Sequence, residues 1–470
     1  MDPIKNSIQL YKNWLSMAKL KPKKYQIDGV SKMLNLEIKG HSKFPGVHGG
    51  FLCDEMGLGK TIQMLGLIYS NLQKKTLIVL PNALIQQWET EIIRLFHHKP
   101  FVYHGHRKHK HGFDDAIIVL TTYGTFASRR INKTYTQSKL LDFKWDRVIF
   151  DEAHHLRNKK TGAFHAANNI KARFRWFVTG TPIQNKIQDI YSLCHLLGIH
   201  KDKYKGFDNL SIVSDAFKIG RSKKDVGILL PKLTVDNIIV DWETDSEMTL
   251  AKDIHSAVGF SNIFGDTNFD QIIQYLTHSH LPALLRMRQT CILPDLIKQH
   301  VKKLIQSDYL EPVRNITNGR SKINAIVKHI LSSDIDNKKI VFCHFRKEIT
   351  LLTSILSKHG LQVAFIDGTV SHSKRKFILS HTHDVLILQI QTANEGLNLQ
   401  NYNHIYFSSP HWNPAVEDQA IARAHRIGQT KPVSVFRFIM DGFDDDHISL
   451  SIDKYISSVQ DKKRILFNSF

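Results

Sequence analysis

The stretch that decides the fold is residues 50–61, which read Gly50-Phe51-Leu52-Cys53-Asp54-Glu55-Met56-Gly57-Leu58-Gly59-Lys60-Thr61. Its first four residues can form a buried strand, and a helical run follows the glycines. Such a turn lets backbone N–H groups approach phosphate oxygens, and the helix adds the positive end of its dipole. Lys60 can reach the β- and γ-phosphates, and the Thr61 hydroxyl can ligate Mg²⁺. The stretch therefore predicts a phosphate-binding loop, although Asp54 stands where the general pattern G-x-x-x-x-G-K-[ST] has its first glycine.

An acidic pair at the end of another apolar strand supplies the partner that a phosphate loop needs. Residues 147–150 predict a strand, and Asp151 and Glu152 follow it directly. Asp151 is suited to hold Mg²⁺ through its water shell, and Glu152 to polarise the water that attacks the γ-phosphate. The two stretches together predict ATP hydrolysis, with ATP and Mg²⁺ as cofactors. The catalytic candidates here are Lys60, Asp151 and Glu152, and the metal ligands are Thr61 and Asp151.

Short β-branched runs alternate with longer amphipathic stretches along most of the chain. This alternation is typical of parallel α/β sheets. The runs form two groups, before about Gly198 and after about Gly319, which predicts two α/β lobes. The runs are Thr76–Leu80, Ile117–Thr121, Val148–Phe150 and Phe177–Thr179, then Ile340–Cys343, Val385–Ile390, Ile405–Phe407 and Val433–Phe438.

The pattern of apolar and polar residues changes between the two groups of strands. The intervening segment is helix-like and polar, and it is broken by Pro231, Pro282 and Pro294. We therefore expect a helical insertion there. The expected domains are residues 1–200, the first, ATP-binding lobe; 201–318, the helical insertion and interlobe connection; 319–445, the second lobe; and 446–470, a terminal helix and tail.

The amino-acid composition indicates which kind of partner and which cellular compartment to expect. The 470 residues carry 64 Lys and Arg against 43 Asp and Glu, a net charge of +21 with a pI near 9.6. Such a charge suits a polyanionic partner such as nucleic acid, but it also serves solubility, so composition alone leaves both interpretations open. Four scattered cysteines without a C-x-x-C pair argue against disulfides and zinc modules. No run of about 18 apolar residues is present. We expect a soluble intracellular protein with no membrane segment, and nothing indicates an oligomer.

Further stretches resemble the motifs of superfamily-two helicases and, within them, the Swi/Snf-type DNA translocases. The resemblance covers most of the chain, and its most specific part is the string from Trp412 to Gln429, which distinguishes this type from the DEAH-box RNA helicases. The stretches that carry it are Lys21-Pro22 with Tyr25–Val30, Leu80–Leu84 with Gln87-Trp88, Thr121–Tyr123, Asp151–His154, Thr179–Asn185, Ile340–Phe345, Ile366–Thr369, and Trp412-Asn413-Pro414 with Glu417, Gln419-Ala420 and Arg423–Gln429.

The resemblance implies two tandem RecA-like parallel-sheet lobes with a helical insertion between them. It also implies translocation on double-stranded DNA without strand separation, in chromatin or protein–DNA remodelling, repair or transcription. The implied nucleotide-binding residues are Tyr25, Gln26, Asp54, Glu55, Met56, Gly57, Leu58, Gly59, Lys60 and Thr61. The implied nucleic-acid contacts are Pro81, Gln87, Trp88, Thr122, Thr392 and Trp412.

The resemblance further implies catalytic roles for Gln419, Arg423 and Arg426. The two arginines lie three residues apart on a predicted helix, so both guanidiniums can point toward the γ-phosphate as arginine fingers. No separate targeting module is visible in the sequence. We therefore expect target choice to come from the core or from accessory proteins. A compact chain of this kind suits a large DNA virus or a minimal cellular enzyme, with the nucleus or a cytoplasmic viral factory as its place of action.

One motif departs from the pattern of the family. The family's fifth motif has Ala-Gly-Gly-x-Gly before Leu-Asn-Leu, whereas residues 392–399 read Thr392-Ala393-Asn394-Glu395-Gly396-Leu397-Asn398-Leu399. Two glycines are missing, which affects any position that needs a positive φ or close backbone approach. Two alternatives stay open beside the translocase: a helicase that separates DNA or RNA strands, and a nucleic-acid-binding scaffold with a weakened ATPase.

Overall fold

The apolar runs form strands that assemble into two sheets, as the computed structural model of the chain shows. The structure describes residues 3–109, 111–127, 129–131, 134–136, 138–180, 183, 187–257, 281–297, 319–391, 397–443 and 450–467. Two compact units account for the chain. The first unit comprises Met1–Leu229 with Lys463–Phe470, and the second unit comprises Leu230–Lys462.

The sheet of the first unit is parallel throughout the described residues. Its order, β3-β4-β2-β7-β8-β1-β9, brings the strands that end at the phosphate loop and at the acidic pair to either side of β8. The strands are β1 (Gly49–Leu52), β2 (Thr76–Leu80), β3 (Phe101–Tyr103), β4 (Ile118–Thr122), β7 (Lys144–Asp151), β8 (Lys171–Val178) and β9 (Lys218–Ile219), with a separate hairpin of β5 (Arg129–Ile131) and β6 (Thr134–Thr136).

The sheet of the second unit is also parallel in the part of the chain described, with the order β10-β15-β14-β11-β13-β12. The two parallel sheets confirm the predicted α/β fold class with two lobes. The strands are β10 (Leu233–Val240), β11 (Lys339–Cys343), β12 (Val363–Ile366), β13 (Val385–Gln389), β14 (His404–Phe407) and β15 (Val433–Met440).

Helices connect most of the strands, as the parallel pairing requires. The helices of the first unit are α1 (Pro3–Met17), α2 (Lys24–Ile38), α3 (Lys60–Ser70), α4 (Ile85–Phe96), α5 (Tyr123–Phe126), α6 (Gly162–Asn169), α7 (Gln188–Leu197) and α8 (Phe207–Phe217). Those that follow are α9 (Asp245–Ala257), α10 (Leu281–Ile292), α11 (Ser321–Ser332), α12 (Arg346–Lys358), α13 (His372–Leu379), α14 (Pro414–Ala424) and α15 (Ile452–Phe467). None of the helices among these residues is long and apolar enough to cross a membrane.

A buried ion pair ties helix α2 to the strand that carries the acidic pair. Arg147 on β7 donates from Nε and Nη2 to the two carboxylate oxygens of Glu37 on α2, at 2.7 and 2.6 Å, and both side chains are fully buried. Trp176 on β8 adds a third donor to the same carboxylate, at 2.9 Å. Because each oxygen of this buried carboxylate has a partner, the pair fixes how α2 lies on the sheet.

The expected boundaries at residues 201–318 differ from the division that the structure makes. The first part of that segment, through α8 and β9, belongs to the first unit, since β9 pairs with β1. The rest belongs to the second unit, where β10 pairs with β15 along eight residues. Helices α9 and α10 lie in this part, while residues 258–280 and 298–318 are outside the described residues.

Candidate nucleotide and metal site

The phosphate-binding loop lies between a buried strand and a helix, as the sequence predicts. All four residues of β1 are buried, and α3 begins at Lys60. Gly57 and Gly59 adopt φ values of +92° and +79°, which side chains other than glycine rarely tolerate. The Lys60 ammonium donates to the main-chain oxygen of Asp54 at 2.8 Å. The loop therefore closes on itself through the lysine that is predicted to hold phosphate.

Asp54 explains the departure of the loop from the general pattern. Its carboxylate is fully buried and accepts from Arg221 Nε at 2.9 Å and from Arg221 Nη2 at 2.6 Å. Gln63 Nε2 donates to the same carboxylate at 2.8 Å. A glycine at position 54 would leave this guanidinium without its ionic partner, so an acidic residue is required here by its neighbour.

A second ion pair holds the next residue of the loop. Lys223 Nζ lies 2.7 Å from Glu55 Oε1, and the Lys223 main-chain N–H donates to Glu55 Oε2 at 2.7 Å. Arg221 and Lys223 follow β9 in the chain, 167 and 168 residues after their partners in the loop, and they are not among the site residues predicted from the sequence. Their only signal is a basic cluster next to a short apolar run.

The segment with the implied nucleotide-binding residues Tyr25 and Gln26 contacts the loop directly. Gln26 Nε2 donates to the main-chain oxygen of Leu58 at 3.0 Å. The Arg221 guanidinium lies 5.4 Å from the centre of the Tyr25 ring and also donates to the Tyr25 main-chain oxygen. One arginine thus joins Tyr25, at the start of α2, to Asp54 in the phosphate loop.

The acidic pair lies at the carboxyl end of β7, as predicted. Asp151 Oδ1 accepts from the main-chain N–H of Glu152 at 3.0 Å. Glu152 itself has φ +50° and ψ +52°, a left-handed conformation that is uncommon for a residue with a side chain. Strain of this kind is concentrated at functional sites.

Burial and like charge govern the electrostatics of the acidic pair. Burial and the neighbouring Glu152 raise the pKa of Asp151 to about 6, against the opposing effects of Trp88 and Lys60. Burial lowers the pKa of Lys60, and the carboxylates of Glu152 and Asp151 oppose that shift. The lysine of the phosphate loop and the two acidic groups are therefore close enough to affect one another's charge, in agreement with a common site.

The donor atoms of this site fit Mg²⁺. Asp151 and Thr61 offer oxygen ligands, which Mg²⁺ prefers. Burial and the like charge of Glu152 raise the pKa of the Asp151 carboxyl, and a divalent cation at this place would favour its ionised form. Asp151 and Thr61 are the residues that would hold it, with the remaining positions taken by phosphate oxygens and water.

Gly180, the second residue of the motif that begins at Thr179, packs against the phosphate loop. The Thr179 N–H donates to the Leu52 main-chain oxygen at 3.0 Å, next to the start of the loop. A Cβ atom on Gly180 would lie 3.2 Å from Met56 Cγ and 3.5 Å from Lys60 Nζ. Only a small residue fits there. Thr181, Pro182, Gln184 and Asn185 of this motif lie outside the described residues.

Two of the predicted nucleic-acid contacts are corrected by the structure. The Trp88 side chain is only 1% exposed, and its indole N–H donates to Asp151 Oδ2 at 2.8 Å. Thr122 is 3% exposed, and its hydroxyl accepts the Thr125 N–H as the N-cap of α5. Neither side chain presents a surface to nucleic acid, because both are buried. Gln87 is exposed and Pro81 half-buried, so both stay candidates. Thr392 lies outside the described residues.

The arginine string of the second unit is only partly helical. Helix α14 ends at Ala424, so Arg423 lies in its last turn, and Arg426 lies beyond the helix in the turn that leads to Gly428. The prediction of both arginines on one helix was therefore wrong. Gly428 has φ +101°, and the chain turns there instead of continuing the helix. Gln419, in the middle of α14, is buried.

The start of α14 is held by buried polar contacts. The Asn413 side chain accepts the Ala415 N–H at 3.1 Å as N-cap, with Pro414 in the first turn. Glu417 is fully buried and accepts from Arg437 Nε at 2.8 Å and from the His411 N–H at 2.7 Å. Trp412 is half-buried and packs on the core of the second unit, with Tyr455 at 6.3 Å between ring centres.

Two family models match the chain and together cover more than half of it. The model described as the SNF2-related domain matches residues 25–209, and the model described as the helicase conserved C-terminal domain matches residues 321–428. The first match contains the phosphate loop and the acidic pair. The second contains helix α14 and Arg426.

Individual relatives agree with these matches. The chain is 29% identical to the probable global transactivator of Orgyia pseudotsugata multicapsid polyhedrosis virus, over 94% of this chain and 90% of that protein. It is 26% identical to the DNA excision repair protein ERCC-6-like of Danio rerio, over 90% of this chain but only 35% of that protein. Among solved structures, the Sulfolobus solfataricus SWI2/SNF2 ATPase core in complex with double-stranded DNA is similar at 24% identity, with a TM-score of 0.41, over 96% of this chain and 92% of that one.

Proposed function

The chain belongs to the SNF2-related family of helicase-like ATP hydrolases, and on that basis we propose that it couples ATP hydrolysis to movement along double-stranded DNA without separating the strands. The observation that carries the proposed hydrolysis is that the loop ending at Lys60 follows β1 and Asp151 ends β7, the two strands on either side of β8, so the lysine and the carboxylate pair lie at the same edge of the sheet. A phosphate-binding lysine and a carboxylate pair in one place are what phosphoryl transfer to water needs.

Each group has a distinct part in the proposed reaction. Lys60 binds the β- and γ-phosphates, and the N–H groups at the start of α3 face the same oxygens. Glu152 accepts the proton of the attacking water. Mg²⁺, held by Thr61 and Asp151, would supply positive charge to the phosphate oxygens. Arg423 and Arg426, together with Gln419, are proposed to stabilise the charge that develops on the γ-phosphate.

Charge and family membership support DNA as the polymer on which the protein acts. The net charge of +21 favours a polyanion. A similar protein of Danio rerio is named a DNA excision repair protein. Pro81 and Gln87 are the proposed contacts of the first unit, and Trp412 and Thr392 those of the second. We propose remodelling of protein–DNA complexes, repair or transcription as its setting, with accessory proteins for targeting.

A triplex-displacement assay tests the proposal. A third strand bound to duplex DNA is expected to be released in an ATP-dependent way, while a strand-displacement assay on the same duplex shows no separation. Lys60→Ala serves as the inactive control, because it removes the ammonium that is proposed to bind the phosphates.

Other outcomes separate the alternatives. Efficient separation of a duplex would identify a strand-separating helicase and refute movement without unwinding. A protein that binds DNA but releases no phosphate when DNA is added at low salt would be a scaffold with a weakened ATPase. Low salt matters here because phosphate contacts weaken steeply as salt rises.

A further inference from the structure

Two segments that resemble nucleic-acid-binding motifs each contain a side chain that donates a hydrogen bond to Asp151. In the first segment, Trp88 donates from its indole N–H to the side-chain oxygen Oδ2 of Asp151 at 2.8 Å. In the second, the Tyr123 hydroxyl donates to the main-chain oxygen of Asp151 at 2.8 Å. The side chains of Trp88 and Tyr123 are 1% and 8% exposed. Two buried donors, from two separate parts of the chain, therefore converge on one metal-ligand candidate.

Sheet topology explains why the two segments meet at this residue. Strands β4, β2 and β7 are consecutive neighbours in the parallel sheet, so their carboxyl ends share one edge. Helix α4 follows β2 after a short turn, helix α5 follows β4 directly, and Asp151 ends β7. The start of α4 thus places its donor over the end of the adjacent strand β7, and the start of α5 places its donor over the end of the same strand from across β2.

The first turn of α4 joins a solvent-exposed surface to this buried contact. Gln87 is exposed, and Trp88, the next residue, is almost completely buried. A ligand that holds the exposed side of this turn also fixes the position of the indole. The indole N–H fixes one oxygen of the Asp151 carboxylate, while the Glu152 N–H holds the other at 3.0 Å. The orientation of the carboxylate therefore depends on where α4 begins.

We propose that Trp88 and Tyr123 are positioning residues that transmit nucleic-acid binding at the starts of α4 and α5, where Gln87 and Gly124 are exposed, to the Mg²⁺ ligand Asp151. Nucleic acid bound on the exposed side holds both donors in place, and the carboxylate is then oriented for the ion. The inference rests on the proposed function, since it assumes that nucleic acid stimulates hydrolysis at this site. It assigns Trp88 to coupling and not to contact with nucleic acid.

Reciprocity makes the coupling measurable from either side. If DNA strengthens binding of the cation and nucleotide by some factor, the cation and nucleotide strengthen DNA binding by the same factor. Partners that orient a metal ligand typically change metal affinity by about 10–100-fold when they are lost. A variant without the indole N–H should therefore show both weaker cation binding and a smaller coupling factor.

Trp88→Phe removes the N–H and keeps an aromatic ring, and Trp145→Phe is its matched control. Trp145 is also 1% exposed in the first unit, and its indole N–H donates at 2.8 Å to the Leu140 main-chain oxygen. The control therefore loses a buried indole hydrogen bond of the same length without any contact to Asp151. Tyr123→Phe is the second test variant, because it removes one hydroxyl and leaves the stack on His155.

Two quantities are measured on the full chain. The first is the affinity for Mn²⁺, used as a spectroscopic probe in place of Mg²⁺, with a non-hydrolysable ATP analogue. The second is the factor by which double-stranded DNA raises phosphate release. We expect Trp88→Phe to weaken Mn²⁺ binding about tenfold and to lower the stimulation factor by a similar amount, about tenfold, because loss of a partner that orients a metal ligand lowers metal affinity or activity to this extent. Tyr123→Phe should lower the stimulation factor in the same direction, and Trp145→Phe should change neither quantity.

The outcomes distinguish this inference from the proposed function. Stimulation of the unaltered protein by DNA, with Trp88→Phe equal to Trp145→Phe in both quantities, would overturn the inference and leave the proposed function standing. No stimulation of the unaltered protein would refute the proposed function and the coupling together. In that case the Mn²⁺ affinity still decides whether Trp88 orients Asp151, because that measurement needs no DNA.

Discussion

Replacing Arg221 with lysine should loosen the phosphate loop and weaken nucleotide binding. Arg221 is the residue through which Asp54, Gln63 and Tyr25 are joined. Lysine keeps the positive charge but has no planar fork, so it cannot give two parallel hydrogen bonds to the carboxylate. The substitution therefore tests the geometry of the contact and not merely the presence of a charge.

The size of the effect follows from the contacts of the Asp54 carboxylate. Arg221 provides two of the hydrogen bonds to this fully buried group, at 2.9 and 2.6 Å, and is itself 19% exposed on its side chain. A hydrogen bond to a charged group contributes about 1.5–3 kcal/mol. Loss of one of the two should lower the unfolding free energy of the first unit by about 2 kcal/mol. In the variant, part of the free energy of nucleotide binding is used to order the loop. A loss of about 1.4 kcal/mol in this way weakens nucleotide affinity tenfold.

Two measurements check this expectation, urea unfolding and titration with a fluorescent ATP analogue. Arg175→Lys is the control, since Arg175 on β8 donates to the main-chain oxygens of Leu196 and Ile170, at 2.6 and 2.8 Å, away from the loop. It should lose stability without a change in nucleotide affinity. Equal nucleotide affinity for Arg221→Lys and the unaltered protein would refute the role that we give to Arg221.

Three other contacts give predictions that urea unfolding can check. Arg147→Met should cost about 3–5 kcal/mol because it leaves a buried Glu37 carboxylate without its cation, and adding Glu37→Gln should restore more than half of that; a double variant no more stable than the single one would contradict this. Gly66→Ala, although favourable in an isolated helix, should cost about 2 kcal/mol, because its Cβ would lie 2.2 Å from the buried Tyr11 ring; a more stable variant would disprove the close packing of α1 on α3. Burial lowers the pKa of His255 from 6.5 to about 4, so the neutral ring contributes stability that is complete above pH 6.5 and lost as pH falls toward 4. Between pH 7.5 and pH 5 that loss is about 2 kcal/mol, and His255→Gln should lack this part of the pH dependence; an unchanged pH dependence would speak against it.

Local patterns predicted the buried central strands well because each of those strands carries its own signal. Thr76–Leu80 is fully buried and reads as a continuous apolar run, as a central parallel strand should. Leu233–Val240 was missed because it lies on the edge of its sheet and is largely exposed, with charged and amide residues between its apolar ones. Its partner β15 lies 200 residues later in the chain, so no local pattern shows the pairing.

The site was predictable where a single segment carries the chemistry. Lys60 and Asp151 each follow a buried strand, so their place at the edge of the sheet could be inferred. The contacts of Arg221 and Trp88 could not, since their partners lie 167 and 63 residues away in sequence. Trp88 was wrongly predicted to contact nucleic acid, because an aromatic residue on an amphipathic helix can face either the solvent or the core. In the structure it is buried.

Phosphate release with double-stranded DNA, single-stranded DNA and RNA compared side by side tests the central claim most directly. The protein is expected to respond most strongly to double-stranded DNA at low salt. Glu152→Gln should lower the stimulated rate about a hundredfold or more, because it removes the general base and keeps the side-chain shape. Hydrolysis by Glu152→Gln at the unaltered rate, or a stronger response to RNA than to double-stranded DNA, would contradict the account.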